Sequence, residues 1–383
     1  MQELFVDTEE QLDQLCLLLK DSKWLSIDTE FIREKTYYPV FCLLQISNGE
    51  VTACVDPLAL PQLDPLLEIL YDESIVKVLH AAHQDLEIFY HLWQRLPTPI
   101  FDTQLVAAIT GYGDQIGYAR LVQQMLSVSL EKDQARTDWS KRPLDQRQLR
   151  YAMNDVIYLG EIYEKLHEKI TRLGRENWLD AEYVHFADPD TFRIHPEQAW
   201  KKVKGRQHLK GVQYAVLQKL SAWREQTAID SDRPRRWILK DEVLIDLARR
   251  APKNAGQLER IRGLEPGQIR KSGDRILTLI AEAKQMPADS WPVENIPTRK
   301  LDRQEEAIAD LLMCGLRLIA DANDITASAI ASRKDLEKII AGSDDTELLR
   351  GWRKKIAGDS LLKMRHGQLM PCWEKDKLVL QSV

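Results

Sequence analysis

The chain has 383 residues, longer than one typical domain, and its 44% hydrophobic and 29% charged content is that of a globular protein. No apolar run reaches the roughly 18 residues of a membrane span, and the acidic, amphipathic start MQELFVDTEEQLDQL does not read as a signal peptide. The net charge of −6 is uneven: residues 195–290 carry 20 Lys+Arg against 12 Asp+Glu, residues 296–383 carry 15 against 14, and the first 194 residues are left with a net −14. An acidic first part and a basic middle suit a cation-binding segment followed by a polyanion-binding one, with chance variation of solvated faces as the alternative.

In chain order, the helical spacing of TEEQLDQLCLLLK and QLDPLLEILYD predicts two helices. WLSIDTEF, CLLQISNGEVTACVD and SIVKVLHAA read as strands or strand pairs, the middle one a hairpin around NGE. Mixed strands and helices argue for an α/β layer fold over the first part. From about residue 118 the pattern is helical: YARLVQQMLSV, then DQRQLRYAMNDVIYLGEIYEKLHEKITRLG, with Gly160 a weak point in that long helix. FADPDTFRIHPEQAW reads as a linker or capping segment.

Two all-helical stretches follow, roughly 205–285 and 300–375, separated by the extended MPADSWPVENIP. Each has a long amphipathic helix, a polar loop, a short helix (KDEVLIDLAR or SRKDLEKIIA) and a further helix, and GQLERIRGL in the first is echoed by TELLRGW in the second. The layout reads as a diverged internal repeat. The five cysteines (Cys16, Cys42, Cys54, Cys314, Cys372) are scattered, odd in number and form no CxxC pair, so a reduced, cytoplasmic protein without a structural zinc site is expected.

Asp28 and Glu30 stand two apart in an apolar strand, so both carboxylates point the same way, and an unpaired charge there costs several kcal/mol. Asp85 follows a buried-looking strand near the start of a helix. Asp155 lies in an apolar helix four residues after Tyr151, which puts both side chains on one helix face. Four converging carboxylates would suit two divalent cations such as Mg²⁺ or Mn²⁺, about 3.5–4 Å apart, clamping a phosphoryl transfer. Tyr151, with an ordinary pKa near 10, is suited to orient a water rather than to deprotonate it.

In their order, DTE, HAAHQDL and YAMND resemble the three motifs of the DEDD 3′–5′ exonuclease superfamily, in its YxxxD subgroup, over about residues 1–195. FIREKTYYPVFCLLQIS directly after the first motif strengthens the likeness. The helical repeat resembles the HRDC domain shared by RecQ-type helicases and the ribonuclease D family, and the domain order resembles that family over nearly the whole chain. The resemblance implies that Asp28 bridges both metals, that Glu30 and Asp155 complete the site of the water-bearing metal, that Asp85 holds the second metal partly through water, and that Tyr151 hydrogen-bonds the attacking water.

Other residues carry two readings each. Asp102 is expected to cap the helix that follows rather than to bind metal. His80 and His83 lack a third ligand at zinc spacing. His80 would either touch substrate or sit buried and hydrogen-bonded. Phe31 would pack on the terminal nucleotide or in the core, and Gln45 would hydrogen-bond that nucleotide or satisfy backbone groups. In DSDRPRRWILKD, Arg233, Arg235, Arg236 and Lys240 surround Trp237 and, with KKVKGRQHLKG upstream, make a candidate phosphate-contacting surface. Trp237 itself is expected in the core. The matching stretch of the second copy, DANDITASAIASRKD, lacks those arginines, so that copy is read as a structural lid on the catalytic domain.

The expectation is an α/β catalytic domain (1–195), which the resemblance implies is ribonuclease H-like with a mixed sheet, followed by two all-α HRDC-like domains (205–288 and 298–375). The resemblance implies a metal-dependent 3′–5′ exoribonuclease that releases nucleoside 5′-monophosphates one at a time, with tRNA precursors carrying 3′ trailing nucleotides among its substrates. A monomer is the default. The motifs do not separate ribose from deoxyribose, so a DNA exonuclease of the repair or proofreading type stays open, as does a non-catalytic nucleic-acid-binding scaffold.

Overall fold

The computed structural model describes residues 1–60, 62–131, 134, 137–293 and 301–383. The expected domain start at 298 and the end of the MPADSWPVENIP linker lie outside the described residues. By its internal contacts the chain divides into two compact units. One comprises residues 1–31, 41–192 and 298–383; the other comprises 32–40 and 193–297.

The first unit opens with β1 (Gln2–Val6), α1 (Glu9–Leu19), β2 (Trp24–Ile32), β3 (Val40–Ser47), β4 (Val51–Val55), α2 (Asp64–Leu70), β5 (Val76–Leu79), α3 (His83–Trp93), β6 (Ile100–Asp102) and α4 (Thr103–Ile109). The six strands form one sheet in the order β1-β4-β3-β2-β5-β6, with β1 and β4, β2 and β5, and β5 and β6 parallel and β3 antiparallel to β4. This is the mixed sheet expected from sequence. Two strands escaped the sequence reading: β6 has only three residues, and β1 merges into the acidic start. Helices α5 (Tyr118–Leu126) and α6 (Gln146–Arg172) follow.

The alternation of β2 explains how one strand serves two environments. Leu25 and Ile27 are fully buried in a core with Leu12, Leu15, Leu44, Ile46 and Leu86. On the other face Ser26 donates its hydroxyl to the Val156 carbonyl (2.8 Å), which ties β2 to α6. Helix α6 runs unbroken through its 27 residues, with a capping box at Asp145. Gly160 is not a weak point in it; the absence of a side chain admits the indole of Trp24.

After α7 (Asp180–Ala187) the chain enters the second unit, with α8 (Val212–Asp230), α9 (Arg235–Ile238), α10 (Asp241–Arg250), α11 (Ala255–Leu258) and α12 (Pro266–Gln285) around a core of Leu217, Leu220, Leu244, Leu247, Ile276 and Ile280. Residues 32–40 belong to this unit: the backbone N–H groups of Tyr37 and Tyr38 both donate to Asp232 Oδ1, and the Tyr37 hydroxyl pairs with Glu225. The sequence placed this segment with the catalytic domain.

The rest of the chain has the same element order as 212–285: α13 (Arg303–Ala322), α14 (Ala327–Ile330), α15 (Arg333–Ile340), a 3₁₀ turn, then α16 (Gly351–Arg353) leading through a π-turn into α17 (Asp359–Arg365). It belongs to the first unit and packs on the α/β part of that unit: Leu312, Leu316, Ile319 and Leu361 share a core with Phe101, Leu159, Ile162 and Leu166. Trp178 stacks on Trp352, with ring centroids 4.5 Å apart. The buried Arg175 donates to the carbonyls of Ile109 (2.7 Å) and Asn323 (2.6 Å). The stretch expected to be helical as far as 375 ends instead at α17: a hairpin, β7 (Leu369–Glu374) and β8 (Lys377–Ser382), begins inside that boundary and was not anticipated from sequence.

Candidate active site

Asp28 and Glu30 leave the same face of β2, and Asp155 reaches them from α6, on the stretch of helix just before Gly160 packs on Trp24. Carboxylate oxygens of the three lie within 4.8 Å of one another. Burial and mutual repulsion raise the group: Asp28 is pushed well above the usual carboxylate range, first by burial and then by Asp155, Asp85 and Glu30. Glu30 is pushed up to about 9 by burial, Asp155 and Asp85, and Asp155 to about 7 by burial.

Asp85 stands apart from this trio. It lies in the first turn of α3, is buried, and accepts a hydrogen bond from the Thr29 hydroxyl. Thr29 is the middle residue of DTE and points to the other face of the strand, so Asp85 meets the motif through Thr29. Burial raises it to about 7.

Tyr151, one turn before Asp155, has its ring 6.1 Å from that of Trp139. Tyr118, which sequence reasoning read only as part of a helical stretch, donates its hydroxyl to the Asn154 carbonyl (3.0 Å). Its pKa is raised by burial and then by Asp155 and Asp28, which places it beside the acidic cluster. Its only sequence signal was a tyrosine in an otherwise helical pattern.

Asp102 caps α4, accepting from the N–H groups of Gln104 and Leu105, and also from those of Ala81 and Ala82. Both ring nitrogens of His80 have protein partners, Thr103 Oγ1 and the Ile116 carbonyl, each at 2.9 Å. Phe31 packs at the margin of the core that holds Leu25 and Ile27. Gln45 is fully buried opposite Cys54, and its amide has no hydrogen-bond partner among the described residues.

In the second unit, Arg235 pairs with Glu225 (3.3 Å) and lies over the Tyr37 ring. Arg236 and Lys240 are exposed. Trp237 is 58% exposed, against the expectation of a core position. The one-turn helix α9 turns Leu239 inward at its end, and Trp237 is left facing solvent.

An all-oxygen set of buried carboxylates fits a hard divalent cation, which would offset the burial and mutual repulsion that disfavour their charged forms. Comparison with known proteins narrows the reading. A family model described as 3′–5′ exonuclease matches residues 4–171, and an HRDC domain model matches 213–280. Ribonuclease D of Bartonella henselae is 38% identical over 92% of this chain and 87% of its own length. The chain belongs to the ribonuclease D family. Ribonuclease D of Gluconacetobacter diazotrophicus is 37% identical over 96% of this chain and 94% of that protein. The crystal structure of Escherichia coli RNase D, described as an exoribonuclease involved in structured RNA processing, superposes with a TM-score of 0.81 at 31% identity, covering 96% of this chain and 99% of that one. As a ribonuclease D the chain is a 3′–5′ exoribonuclease, a phosphodiester hydrolase, and the family implies divalent metal ions. Among the described residues no helix is long and apolar enough to cross a membrane.

Proposed function

We propose that this ribonuclease D matures the 3′ ends of tRNA precursors in the cytoplasm, acting as a monomer and releasing trailing nucleotides one at a time as nucleoside 5′-monophosphates. The observation that carries the reading is the convergence of Asp28, Glu30 and Asp155 from a strand and a helix into one oxygen-lined cluster. The five free thiols agree with a reducing compartment.

Asp28, Glu30 and Asp155 would hold the divalent ions, two Mg²⁺ or Mn²⁺, and Asp85 would contribute to the second from the α3 side. When bound, such ions supply an activated water and stabilise the leaving oxygen. Tyr151, on the same helix face as Asp155, accepts or donates a hydrogen bond to the attacking water and holds it in line. Phe31 and His80 lie along the approach of the terminal nucleotide, with His80 acting through a ring already fixed by Thr103 and Ile116, and Gln45, whose buried amide has no hydrogen-bond partner among the described residues, would bond that nucleotide once it is seated. Arg236 and Lys240, with Arg235 behind them, contact phosphates, and exposed Trp237 offers a face for base stacking. The division into an exonuclease domain (1–195) and two HRDC-like domains (205–288 and 298–375) is part of the proposal, with the second copy a structural cover rather than an RNA-binding surface.

The test is a 5′-labelled tRNA precursor with a short 3′ trailer, incubated beside mature tRNA and an unstructured RNA. Stepwise shortening of the trailer that slows at the mature end supports the reading. A trailer left intact while the unstructured RNA is degraded overturns it.

A further inference from the structure

Outside the acidic cluster, a dense polar junction of the catalytic domain centres on Arg142. Its guanidinium grips the buried Asp56 carboxylate bidentately, Nη2 to Oδ1 at 2.7 Å and Nε to Oδ2. Nη2 also donates to the Cys42 carbonyl on β3 (2.7 Å), and Nη1 to the carbonyls of Trp139 (2.8 Å) and Lys141 (2.9 Å). Asp56 directly follows β4 and is 2% exposed, its N–H bonded to the Val6 carbonyl on β1. Arg142 therefore joins β3 and the residue that follows β4, itself bonded to β1, to residues 139–142.

Those residues lead directly to the acid-bearing helix. Asp145, three residues on, caps α6 with a capping box, and Gln148 in its first turn donates to Thr137 Oγ1 (3.2 Å). Trp139 is 2% exposed, and its ring meets that of Tyr151 at 6.1 Å. The Trp139 indole N–H has no partner among the described residues. Arg142 restrains the backbone of this residue through its carbonyl, and the ring is held by packing.

We infer that Arg142 is a positioning residue for Tyr151. Anchored on Asp56, it fixes Trp139, and the Trp139 ring in turn sets where the Tyr151 ring sits, one turn from Asp155. The inference rests on the proposed water-orienting role of Tyr151. A planar, five-donor guanidinium is required because four acceptor groups on three segments must be met at once, which a lysine ammonium cannot do. A purely structural ion pair would predict lost stability with unchanged turnover in whatever enzyme remains folded.

The experiment is a double-mutant cycle on the full-length, metal-loaded enzyme, reading kcat and KM separately on 5′-labelled RNA, with melting curves to confirm that each variant is folded. Tyr151→Phe alone is expected to lower kcat. Arg142→Lys is expected to lower kcat about 10-fold or more with little change in KM, as misplacement of a reacting group does. In the Tyr151→Phe background Arg142→Lys should cost less than about twofold further, since the interaction it supports is already gone. Trp139→Phe, which leaves the Arg142–Asp56 grip intact, should show the same non-additivity and carries the test if Arg142→Lys fails to fold. Losses that multiply in the double variants, or an unchanged kcat in folded Arg142→Lys or Trp139→Phe, would overturn the inference while leaving the role of Tyr151 standing. A wild-type rate for Tyr151→Phe alone would overturn both, and that variant reads it without touching Arg142.

Discussion

Gly160 lies flush against the indole of Trp24: a Cβ at position 160 would come within 2.7 Å of Trp24 Cζ3. Trp24 begins the strand that carries Asp28 and Glu30, and Gly160 sits on the helix that carries Asp155. Their packing therefore sets the distance between the two sources of carboxylate, and the Ser26–Val156 hydrogen bond fixes the register.

Gly160→Ala is expected to push α6 away from β2. Overpacking of this kind costs about 1–3 kcal/mol, and the displaced Asp155 should lower activity well beyond what the stability loss explains. Trp24→Phe should restore part of both in the double variant. Melting curves and nuclease rates of the single and double variants check this; a fully active Gly160→Ala enzyme would refute the spacing argument.

Asp28→Asn and Asp155→Asn are each expected to leave the fold intact and abolish turnover. In metal-free protein near neutral pH both should melt at or above the wild-type temperature, because each removes a source of repulsion. A variant that keeps full turnover would remove that carboxylate from the site.

The pH dependence has a definite sign. Asp28, Glu30, Asp85 and Asp155 all have folded-state values above their unfolded ones, Glu30 near 9 and Asp85 and Asp155 near 7. The folded state therefore binds more protons than the unfolded state above about pH 4. Metal-free stability is expected to fall as pH rises from about 5 to 8, and to fall less steeply in Asp28→Asn. Divalent ions bind the deprotonated cluster, so the rise in melting temperature with Mg²⁺ or Mn²⁺ should be larger at about pH 8 than at about pH 5.5. Equal metal-induced shifts at the two pH values would contradict the assignment.

Charge reversal at Arg236 and Lys240 is expected to weaken RNA binding and to flatten its dependence on log salt by about one unit for each phosphate that the variant no longer neutralises. Trp237→Ala should lower affinity for single-stranded RNA with little effect on that slope. Arg235→Glu should instead destabilise the helical unit, since it removes the partner of the buried Glu225. Filter binding across a salt series, beside thermal melting, separates these outcomes.

The parts of the site that follow from local period were legible in the sequence. Period two placed Asp28 beside Glu30, period 3.6 placed Tyr151 beside Asp155, and the helix-start chemistry of Asp102 identified a cap. What depends on distant pairing was not legible. Asp85 meets the DTE motif through Thr29, which required knowing that α3 packs on the opposite face of β2. Tyr118 and Arg142 act through backbone carbonyls, and an acceptor present in every residue leaves no mark on sequence. Residues 32–40 left the catalytic domain because Asp232 and Glu225, nearly 200 positions away, satisfy Tyr37 and Tyr38. Trp237 was misplaced because a one-turn helix has too few residues to show which face is buried.

The most direct test uses 5′-labelled single-stranded RNA and DNA of one sequence, each incubated with wild-type enzyme and Asp28→Asn in Mg²⁺, Mn²⁺ and EDTA. The expected result is a ladder shortening from the RNA 3′ end with wild type and metal, weaker on DNA, and absent with EDTA or with Asp28→Asn. Cleavage that persists in EDTA, or in the Asp28→Asn variant, would contradict a reaction centred on the carboxylates of β2 and α6.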